Sequence, residues 1–258
     1  MIRLVDLQAR HARCAEPIEH AVLEVLRSGT WIGGPVLSEL EPQIAQLMGR
    51  NHAVGVANGT DALELCMRSL GIGEGDEVIV PAVSFFATAG AVCRVGARPV
   101  LVDVRPDRPL LDWDQVERAR STSTRAVIPV HLFGMDAGRS DTDLTVIDDL
   151  AQAVGATPSL GAGRLGAVSF YPTKVISGAG DGGMVLCQDA EQAAAVRALG
   201  SHGCVDGLHQ RIRGSVGGNS RMDAIHAAIV LAQLPGLSSR IQRRQAIYRA
   251  YRAALGDS

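Results

Sequence analysis

The stretch Gly166–Val185, GAVSFYPTKVISGAGDGGMV, organises the rest of the chain. An apolar strand leads to Ser169, a turn set by a proline follows, and the lone lysine of the sequence, Lys174, comes next. A glycine-rich loop, Gly178–Gly183, then leads into a second strand, Met184–Cys187, and arginine carries the rest of the basic charge. A solvated surface group is the usual alternative for a lysine, but the apolar flanks and the glycine-rich loop favour a desolvated lysine, which can act as a nucleophile.

Strands alternate with helices along the rest of the chain. We predict helices at Cys14–Arg27, Val36–Met48, Ala62–Leu70, Phe86–Val95 and Ser238–Leu255, and further strands at Ala53–Ala57, Glu77–Val80, Arg98–Val102, Ala126–Val130 and Leu144–Ile147. This alternation predicts an α/β fold with a mixed, mostly parallel sheet and helices on both faces. Ligands of such sheets bind at the carboxyl ends of the strands, so the candidate site residues are those that follow a strand.

The composition indicates a globular protein and argues against several classes of function. With 258 residues, of which 47% are hydrophobic, the chain can bury a substantial core. A net charge of -2 gives no support to nucleic-acid binding. Residues 1–10 lack a signal-peptide core, and the most apolar region, Val78–Cys93, is interrupted by polar residues, so we expect no membrane span. The five cysteines have no paired spacing, which favours reduced thiols in the cytoplasm over a disulfide frame or a metal site.

Three strand ends carry polar residues that could face one site. The first is Asn58-Gly59-Thr60, which could offer backbone N–H groups to a phosphate; a plain N-cap is the alternative, and is favoured if the motif is taken alone. The second is the pair Asp148 and Asp149, which is costly to bury without a cation or a donor; an acidic helix N-terminus is the alternative. The third is Ser169 together with Lys174.

Together these groups match the needs of a pyridoxal phosphate (PLP) site. The cofactor requires a lysine to bind it covalently, a carboxylate to keep its ring nitrogen protonated, and a cradle for its phosphate. The charged ring is an electron sink, and the lysine, once displaced, can carry the proton. A flat side chain usually lies on the ring. Phe85, which follows the strand Glu77–Val80, could take that place, with ordinary core packing as the alternative.

The order of these motifs closely resembles that of the sugar aminotransferases of the DegT/DnrJ/StrS group of PLP enzymes. The resemblance covers nearly all of the chain, and it is specific because several motifs occur in one order, whereas any one of them alone is weak. The matching stretches are VDL at 5–7, ANGTDAL at 57–63, PAVSFFAT at 81–88, PVHLFG at 129–134, DLAQ at 149–152, SFYPTK at 169–174, GDGG at 180–183 and GNSRMD at 218–223.

The resemblance implies the aspartate-aminotransferase-like fold of the fold type I PLP-dependent transferases. It also implies Lys174 as the lysine that binds pyridoxal 5'-phosphate and Asp149 as the partner of the ring nitrogen. The other cofactor contacts that it implies are Gln152 beside the ring and its hydroxyl, Gly59, Thr60 and Ser169 at the phosphate, and Phe85 stacked on the ring. Asn219 would reach the phosphate of the neighbouring subunit, so that a homodimer would share its active sites.

The activity that the resemblance implies is transfer of an amino group from an amino acid, with glutamate expected, to a keto sugar carried on a nucleotide diphosphate. Two alternatives stay open. One is a PLP-dependent sugar dehydratase, although relatives of that type carry histidine where this chain has Lys174. The other is a non-catalytic or degenerate protein that has kept the fold.

Two regions depart from the pattern of the family. Residues 135–145, rich in Asp, Gly, Ser and Thr, predict a loop where relatives place a full helix. Relatives also continue into a smaller C-terminal domain that helps to close the site. We expect residues 1–235 to form the large PLP-binding domain and residues 236–258 to begin the small one. In this chain the site would then stay open on one side, bind PLP weakly and turn over poorly or not at all.

Two further motifs suggest other functions without strong support. GAGRLG at 161–166 fits the dinucleotide pattern GxGxxG, but it lacks a strand before it and a helix after it, which favours a loop. The arginines of the predicted helix Ser238–Leu255 are expected to form a solvated face, while apolar residues cover its other side: Ile241, Ile247, Tyr251 and Leu255. His131 is expected to be a hydrogen-bonded structural histidine.

Overall fold

A seven-stranded sheet forms the centre of the protein. The computed structural model describes residues 5–138, 141–156, 160–161, 163–205, 208–212 and 216–256. In chain order the helices α1 to α9 are Leu7–Ala12, Ala15–Ser28, Pro35–Leu47, Gly59–Ser69, Ala87–Arg94, Trp113–Ala119, Ala190–Leu199, Ala224–Leu231 and Leu237–Leu255. The strands β1 to β9 are His52–Val56, Glu77–Pro81, Arg98–Val102, Thr124–Val127, Thr145–Asp149, Leu165–Ser169, Gly183–Cys187, Cys204–Val205 and Leu208–Ile212. Short 3-10 helices occupy Leu132–Gly134 and Leu234–Gly236.

The large sheet is mixed and mostly parallel, as predicted. Its order is β1-β7-β6-β5-β4-β2-β3, and β8 pairs with β9 in a separate small sheet. β7 is antiparallel to both of its neighbours, whereas the remaining pairings are parallel. Because β7 lies between β1 and β6, all the other strands of this sheet run in one direction. Their carboxyl ends therefore meet at one edge, where ligands of such sheets bind.

Helices cover both faces of the sheet, which confirms the second part of that prediction. Alternate residues of β7 enter different cores, since successive side chains of a strand point to opposite faces. Val185 and Cys187 pack with residues of α4, α5 and α7, whereas Met184 and Leu186 pack with residues of α3 and α8. The strand has apolar residues at every buried position because neither of its faces meets water.

Most of the predicted elements are present, and one strand, Arg98–Val102, has the predicted bounds. The sequence analysis did not predict α1, α6, α7, α8 or the β8–β9 pair. Residues 135–138 and 141–144 form no helix, so the predicted loop is confirmed for the described part of 135–145. The GxGxxG motif runs directly into β6 at Leu165 instead of into a helix, so its interpretation as a loop holds and the dinucleotide alternative fails; Ala162 of this motif lies outside the described residues.

One predicted strand end was wrong, and the difference matters for the site. β5 ends at Asp149 rather than at Ile147, so Asp148 and Asp149 lie within the strand. The alternation of a strand sends neighbouring side chains to opposite faces of the sheet. Residues 151–155 form turns, so the alternative that these carboxylates cap a helix is also wrong.

The last helix, α9, packs on the body only through its first turns. Leu237 is buried and Ile241 is partly buried against the core formed with α3 and α8. Ile247, Tyr251 and Leu255 are exposed, so the expectation that they cover one side of this helix was wrong. Within the described residues, no helix combines the length and the apolar character that a membrane span requires.

Candidate active site

The carboxyl edge of the sheet brings the predicted strand ends together. Gly183, at the start of β7, pairs with Val56 of β1 on one side and with Ser169 of β6 on the other. Asp149, the last residue of β5, lies beside β6 in register. The turn that follows β1, the end of β5 and the end of β6 are therefore neighbours, as the sequence analysis required of a single site.

Asp149 is a buried carboxylate held by hydrogen bonds. Its residue exposure is 6%. The hydroxyl of Thr88, in the first turn of α5, donates to its Oδ2 at 2.9 Å, and the backbone N–H of Ala151 donates to its Oδ1 at 3.1 Å. Burial raises the pKa of Asp149, while these two donors and the charges of Lys174 and His131 lower it. A cation placed against Asp149 would relieve the cost of burying its charge.

Thr88 is a site residue that the sequence analysis missed. Thr88 ends the matching stretch PAVSFFAT at 81–88, but it was given no role of its own there. The hydroxyl of Ser84 lies 2.6 Å from that of Thr88, so two hydroxyls and Asp149 form a chain of hydrogen bonds. A hydroxyl in the first turn of a helix that follows a strand is a sequence pattern that could have pointed to this contact.

Lys174 lies in the turn after β6, where its backbone N–H donates to the Tyr171 carbonyl at 2.9 Å. Its side chain is half-buried. Burial lowers the pKa of the Lys174 ammonium, and the negative charge of Asp149 partly offsets this by raising it. The structure therefore brings the predicted nucleophile within electrostatic reach of the predicted carboxylate. A depressed pKa leaves more of the amine neutral, which is the form that attacks a carbonyl.

The start of α4 and the end of β6 form a narrow cradle. Asn58 caps α4, accepting a hydrogen bond from the Asp61 N–H at 2.8 Å, so the interpretation as an N-cap is confirmed. The first N–H groups of a helix have no helical partner and favour an anion. A Cβ at Gly59 would lie 2.8 Å from the Cβ of Ser169, so only glycine allows this close approach. The cradle and the N-cap are compatible, since the cap satisfies the Asp61 N–H while Gly59 and Thr60 precede it.

Phe85 lies on the surface at the edge of the site. It is 74% exposed, so the alternative that it packs in the core is wrong. Gln152 is partly buried, and its Oε1 accepts a hydrogen bond from the backbone N–H of Phe133 at 2.9 Å. Phe133 has a left-handed backbone conformation, with φ of 57°, and its side chain is 74% exposed. Gln152 thus stabilises an unusual backbone geometry beside the site as well as lying after Asp149.

Asp148 belongs to a separate buried network on the opposite face of β5. Its Oδ2 accepts hydrogen bonds from Arg50 at 3.0 Å and from the Gly163 N–H at 2.8 Å. Its Oδ1 lies 3.2 Å from Nε2 of His131, a buried histidine whose predicted structural role this confirms. The guanidinium of Arg50 compensates the charge of Asp148, which leaves Asp149 as the carboxylate that can serve a ligand. Sequence reasoning missed Arg50 because the pairing spans distant segments of the chain.

Asn219 is exposed and lies outside this cluster in a single chain. Its Oδ1 accepts a hydrogen bond from Nε of Arg221 at 3.1 Å. Its backbone forms an isolated bridge to Ser201. The role of Asn219 at the neighbouring subunit's phosphate stays a prediction.

The donor set of the site suits an organic cofactor with an anionic end and a cationic ring. The cradle at Gly59 and Ser169 offers N–H and hydroxyl donors, and the buried carboxylate of Asp149 suits a protonated nitrogen. Among the described residues, no group of His, Cys, Asp and Glu could hold a metal ion.

Comparison with known proteins identifies one family, although two of the relatives carry regulatory names: the pleiotropic regulatory protein of Geobacillus stearothermophilus, 37% identical, and the erythromycin biosynthesis sensory transduction protein EryC1 of Saccharopolyspora erythraea, 38% identical. The model of the DegT/DnrJ/EryC1/StrS aminotransferase family matches residues 13–258. The chain is 38% identical to UDP-2-acetamido-2-deoxy-3-oxo-D-glucuronate aminotransferase of Pseudomonas aeruginosa, over 99% of this chain and 73% of that protein. It is 40% identical to dTDP-3-amino-3,4,6-trideoxy-alpha-D-glucose transaminase of Streptomyces venezuelae, over 98% of this chain and 69% of that protein.

Solved structures agree with the sequence relatives. The crystal structure of S. venezuelae DesV in complex with a ketimine intermediate superposes with a TM-score of 0.90 at 37% identity, over 99% of this chain and 71% of that one. A putative sugar aminotransferase from Streptococcus pneumoniae is also similar, and its structures are described in apo, PLP and PMP forms. The predicted fold class, that of the PLP-dependent transferases of fold type I, is confirmed by these neighbours.

Proposed function

The chain belongs to the DegT/DnrJ/EryC1/StrS aminotransferase family, and we propose that it transfers an amino group from an amino acid to a keto sugar carried on a nucleoside diphosphate. The observation that carries the proposal is that the buried carboxylate of Asp149, at the ligand edge of the sheet, lies within electrostatic reach of the partly buried Lys174 in the turn after β6. The names of the relatives, which describe UDP-linked and dTDP-linked sugars, support a nucleotide-linked substrate. Glutamate is the amino donor that we expect.

Pyridoxal 5'-phosphate is the cofactor of this family, and the residues of the site fit it. When bound, it takes up the amino group of the donor, passes it to the acceptor, and stabilises negative charge at the reacting carbon. The N–H groups at Gly59 and Thr60 and the hydroxyl of Ser169 would bind its phosphate. Asp149, oriented by Thr88, would keep the ring nitrogen protonated.

Lys174 and the side chains around it would perform the remaining steps. In its neutral form Lys174 would bind the cofactor covalently, and after its release it would move the proton at the reacting carbon. Phe85 would stack on one face of the ring from its exposed position. Gln152 would lie beside the ring hydroxyl while its Oε1 holds the backbone of Phe133.

A spectroscopic experiment tests this function. The purified chain is saturated with PLP, and its visible absorption is followed on addition of L-glutamate, with D-glutamate as the control. We expect that L-glutamate, but not D-glutamate, bleaches the cofactor band and yields 2-oxoglutarate. A UDP-linked or dTDP-linked 3-keto sugar should restore the band and become aminated, whereas the free keto sugar should not.

The same experiment separates the two alternatives. A sugar product that has lost a hydroxyl and gained no nitrogen would identify a dehydratase. A cofactor band that no amino donor alters would identify a degenerate protein that has kept the fold. Either result would overturn the proposed transamination.

A homodimer with shared sites is the assembly that we propose. Large aromatic side chains are exposed around the site: Phe85 at 74%, Phe86 at 81% and Phe133 at 74%. Several such side chains at one edge are typical of a surface that a partner covers. The exposed Asn219 would then reach the phosphate bound by the partner subunit.

Complementation between two inactive variants tests the position of Asn219. A Lys174→Ala chain and an Asn219→Ala chain should each be inactive alone. After subunit exchange, mixed dimers would contain one site with both residues intact, so activity should return to at most about half of the parental value per mixed dimer, as one of two sites is restored. An Arg221→Gln chain is a matched control, because it removes the hydrogen-bond partner of Asn219 but not Asn219 itself. If exchange is proven by mass and no activity returns, Asn219 does not serve the partner's site.

We also propose a cytoplasmic location and a domain boundary. All five cysteines are free, which suits a reducing compartment. The 3-10 helix Leu234–Gly236 and the start of α9 at Leu237 fall where we expect the PLP-binding domain, residues 1–235, to end.

A further inference from the structure

Arg10 connects the first helix to the turn that carries Lys174. Arg10 lies in α1, and its two terminal nitrogens reach the backbone of that turn. Nη1 donates to the carbonyl oxygen of Pro172 at 3.1 Å, and Nη2 donates to the carbonyl oxygen of Val175 at 2.9 Å. These carbonyls stand on either side of Lys174 in the chain.

The turn also packs on the body of the protein, because Val175 lies against the core that contains residues of α3 and α8. A cavity of about 1100 Å³ lies behind it, between α1 and the start of α9, and both Arg10 and Val175 line it. Within the turn itself, the N–H of Lys174 donates to the Tyr171 carbonyl at 2.9 Å. The two bonds from Arg10 are side-chain hydrogen bonds that hold the turn on the side of this cavity.

Charge pairing does not explain the position of Arg10. Burial is the largest cause that lowers the pKa of its guanidinium, and the charges of Arg240 and Arg244 lower it further. No carboxylate among the described residues offsets this, and Cys14 is the group that acts in the other direction. A guanidinium holds its donors in a rigid planar fork, so it can bond two carbonyls at once, which an ammonium cannot do with the same geometry.

We propose that Arg10 is a positioning residue that holds the Pro172–Val175 turn so that the amine of Lys174 faces Asp149. The proposal rests on the proposed function for the role of Lys174 in catalysis. Its structural part, the rigidity of the turn, does not depend on that function. Small displacements of a reacting group are expensive, since about 1 Å can cost about a hundredfold in rate.

Three variants test the proposal. Arg10→Gln removes the fork and the charge, and Arg10→Lys keeps the charge without the fork. Arg13→Gln is the matched control, because Arg13 lines the same cavity one turn later in the chain. Hydrogen exchange at the N–H of Lys174, which donates to the Tyr171 carbonyl, is measured without cofactor. We expect exchange there to be at least about tenfold faster in Arg10→Gln, intermediate in Arg10→Lys, and unchanged in Arg13→Gln.

Kinetics of the PLP-loaded protein give the second measurement. We expect kcat for the glutamate half-reaction to fall between about 10-fold and 100-fold in Arg10→Gln, with KM for glutamate nearly unchanged. A variant that fails to fold would lose protection from hydrogen exchange throughout the chain. In that case Arg10→Lys, which keeps the charge, shows whether loss of the planar guanidinium alone affects the turn and the rate.

Several results would overturn the proposal. Unchanged exchange of the turn in Arg10→Gln would show that Arg10 does not hold it. An effect of equal size in Arg13→Gln, or full activity in Arg10→Lys, would assign the effect to charge in the cavity. If the parental chain transaminates nothing, the proposed function fails, while the exchange experiment still decides whether Arg10 positions the turn.

Discussion

Lys174→Ala should abolish covalent attachment of the cofactor and lower transamination by at least about 10,000-fold, because the variant lacks both the nucleophile and the group that moves the proton. Lys174 is the only lysine of the chain. Borohydride reduction of the PLP-loaded protein should therefore fix the cofactor at a single peptide, which mass spectrometry identifies. The fold should survive, since Lys174 lies in a turn and is only partly buried.

Lys174→Arg is the matched control for charge. An arginine keeps the positive charge near Asp149, but it stays protonated in proteins and cannot act as a nucleophile. It should therefore be as inactive as the alanine variant. A reduced label at any site other than Lys174, or activity in Lys174→Arg, would contradict the assignment of Lys174.

The local patterns of the sequence predicted the framework of the site well. β6 and β7 flank the glycine-rich loop as expected because apolar runs bounded by glycines are buried strands. The N-cap at Asn58 was predictable because a polar residue before a glycine and a hydroxyl is a local signal. The turn that carries Lys174 was predictable from its proline for the same local reason.

Contacts between distant segments of the chain were not predictable from local patterns. The pairing of Arg50 with Asp148 joins residues that are 98 positions apart, and that of Thr88 with Asp149 joins residues 61 positions apart. Both pairings depend on which face of β5 carries each carboxylate. The sequence analysis ended that strand at Ile147, so it could not assign the two carboxylates to different faces.

The exposure of the aromatic residues could also not be predicted from the sequence. Phe85 could equally have been a core residue, because hydrophobicity alone does not say which apolar side chains remain outside. The structure places it on the surface beside Asp149's partner, Thr88. The outer apolar residues of α9 give the same result. Their spacing predicted an apolar face that covers one side of the helix, but these side chains are exposed.

Asp149→Asn should lower the glutamate half-reaction by about 1,000-fold or more, because a neutral amide cannot keep a proton on the ring nitrogen and the buried charge is lost. The variant should still bind PLP covalently, because Lys174 and the phosphate cradle are intact. Rapid-mixing spectroscopy at saturating glutamate measures the effect on the chemical step.

Asp148→Asn is the matched control in the same strand. It leaves the buried guanidinium of Arg50 without its carboxylate, so it should destabilise the fold by about 3–5 kcal/mol.

Asp149→Asn should raise the melting temperature of the protein without the cofactor and lower it with the cofactor bound. Burial raises the pKa of Asp149 above its ordinary value of 3.8, so the folded protein holds this proton more tightly than the unfolded chain does. The contribution of Asp149 to stability is therefore full below that ordinary value and is lost as the pH rises through the folded pKa. Without PLP, Asp149→Asn should melt at a higher temperature than the parent at neutral pH, and this difference should shrink on acidification. With PLP bound, the parent should melt higher, because its carboxylate then meets a protonated ring nitrogen. If Asp149→Asn keeps the parental rate and shows no such reversal, Asp149 is not the partner of the ring.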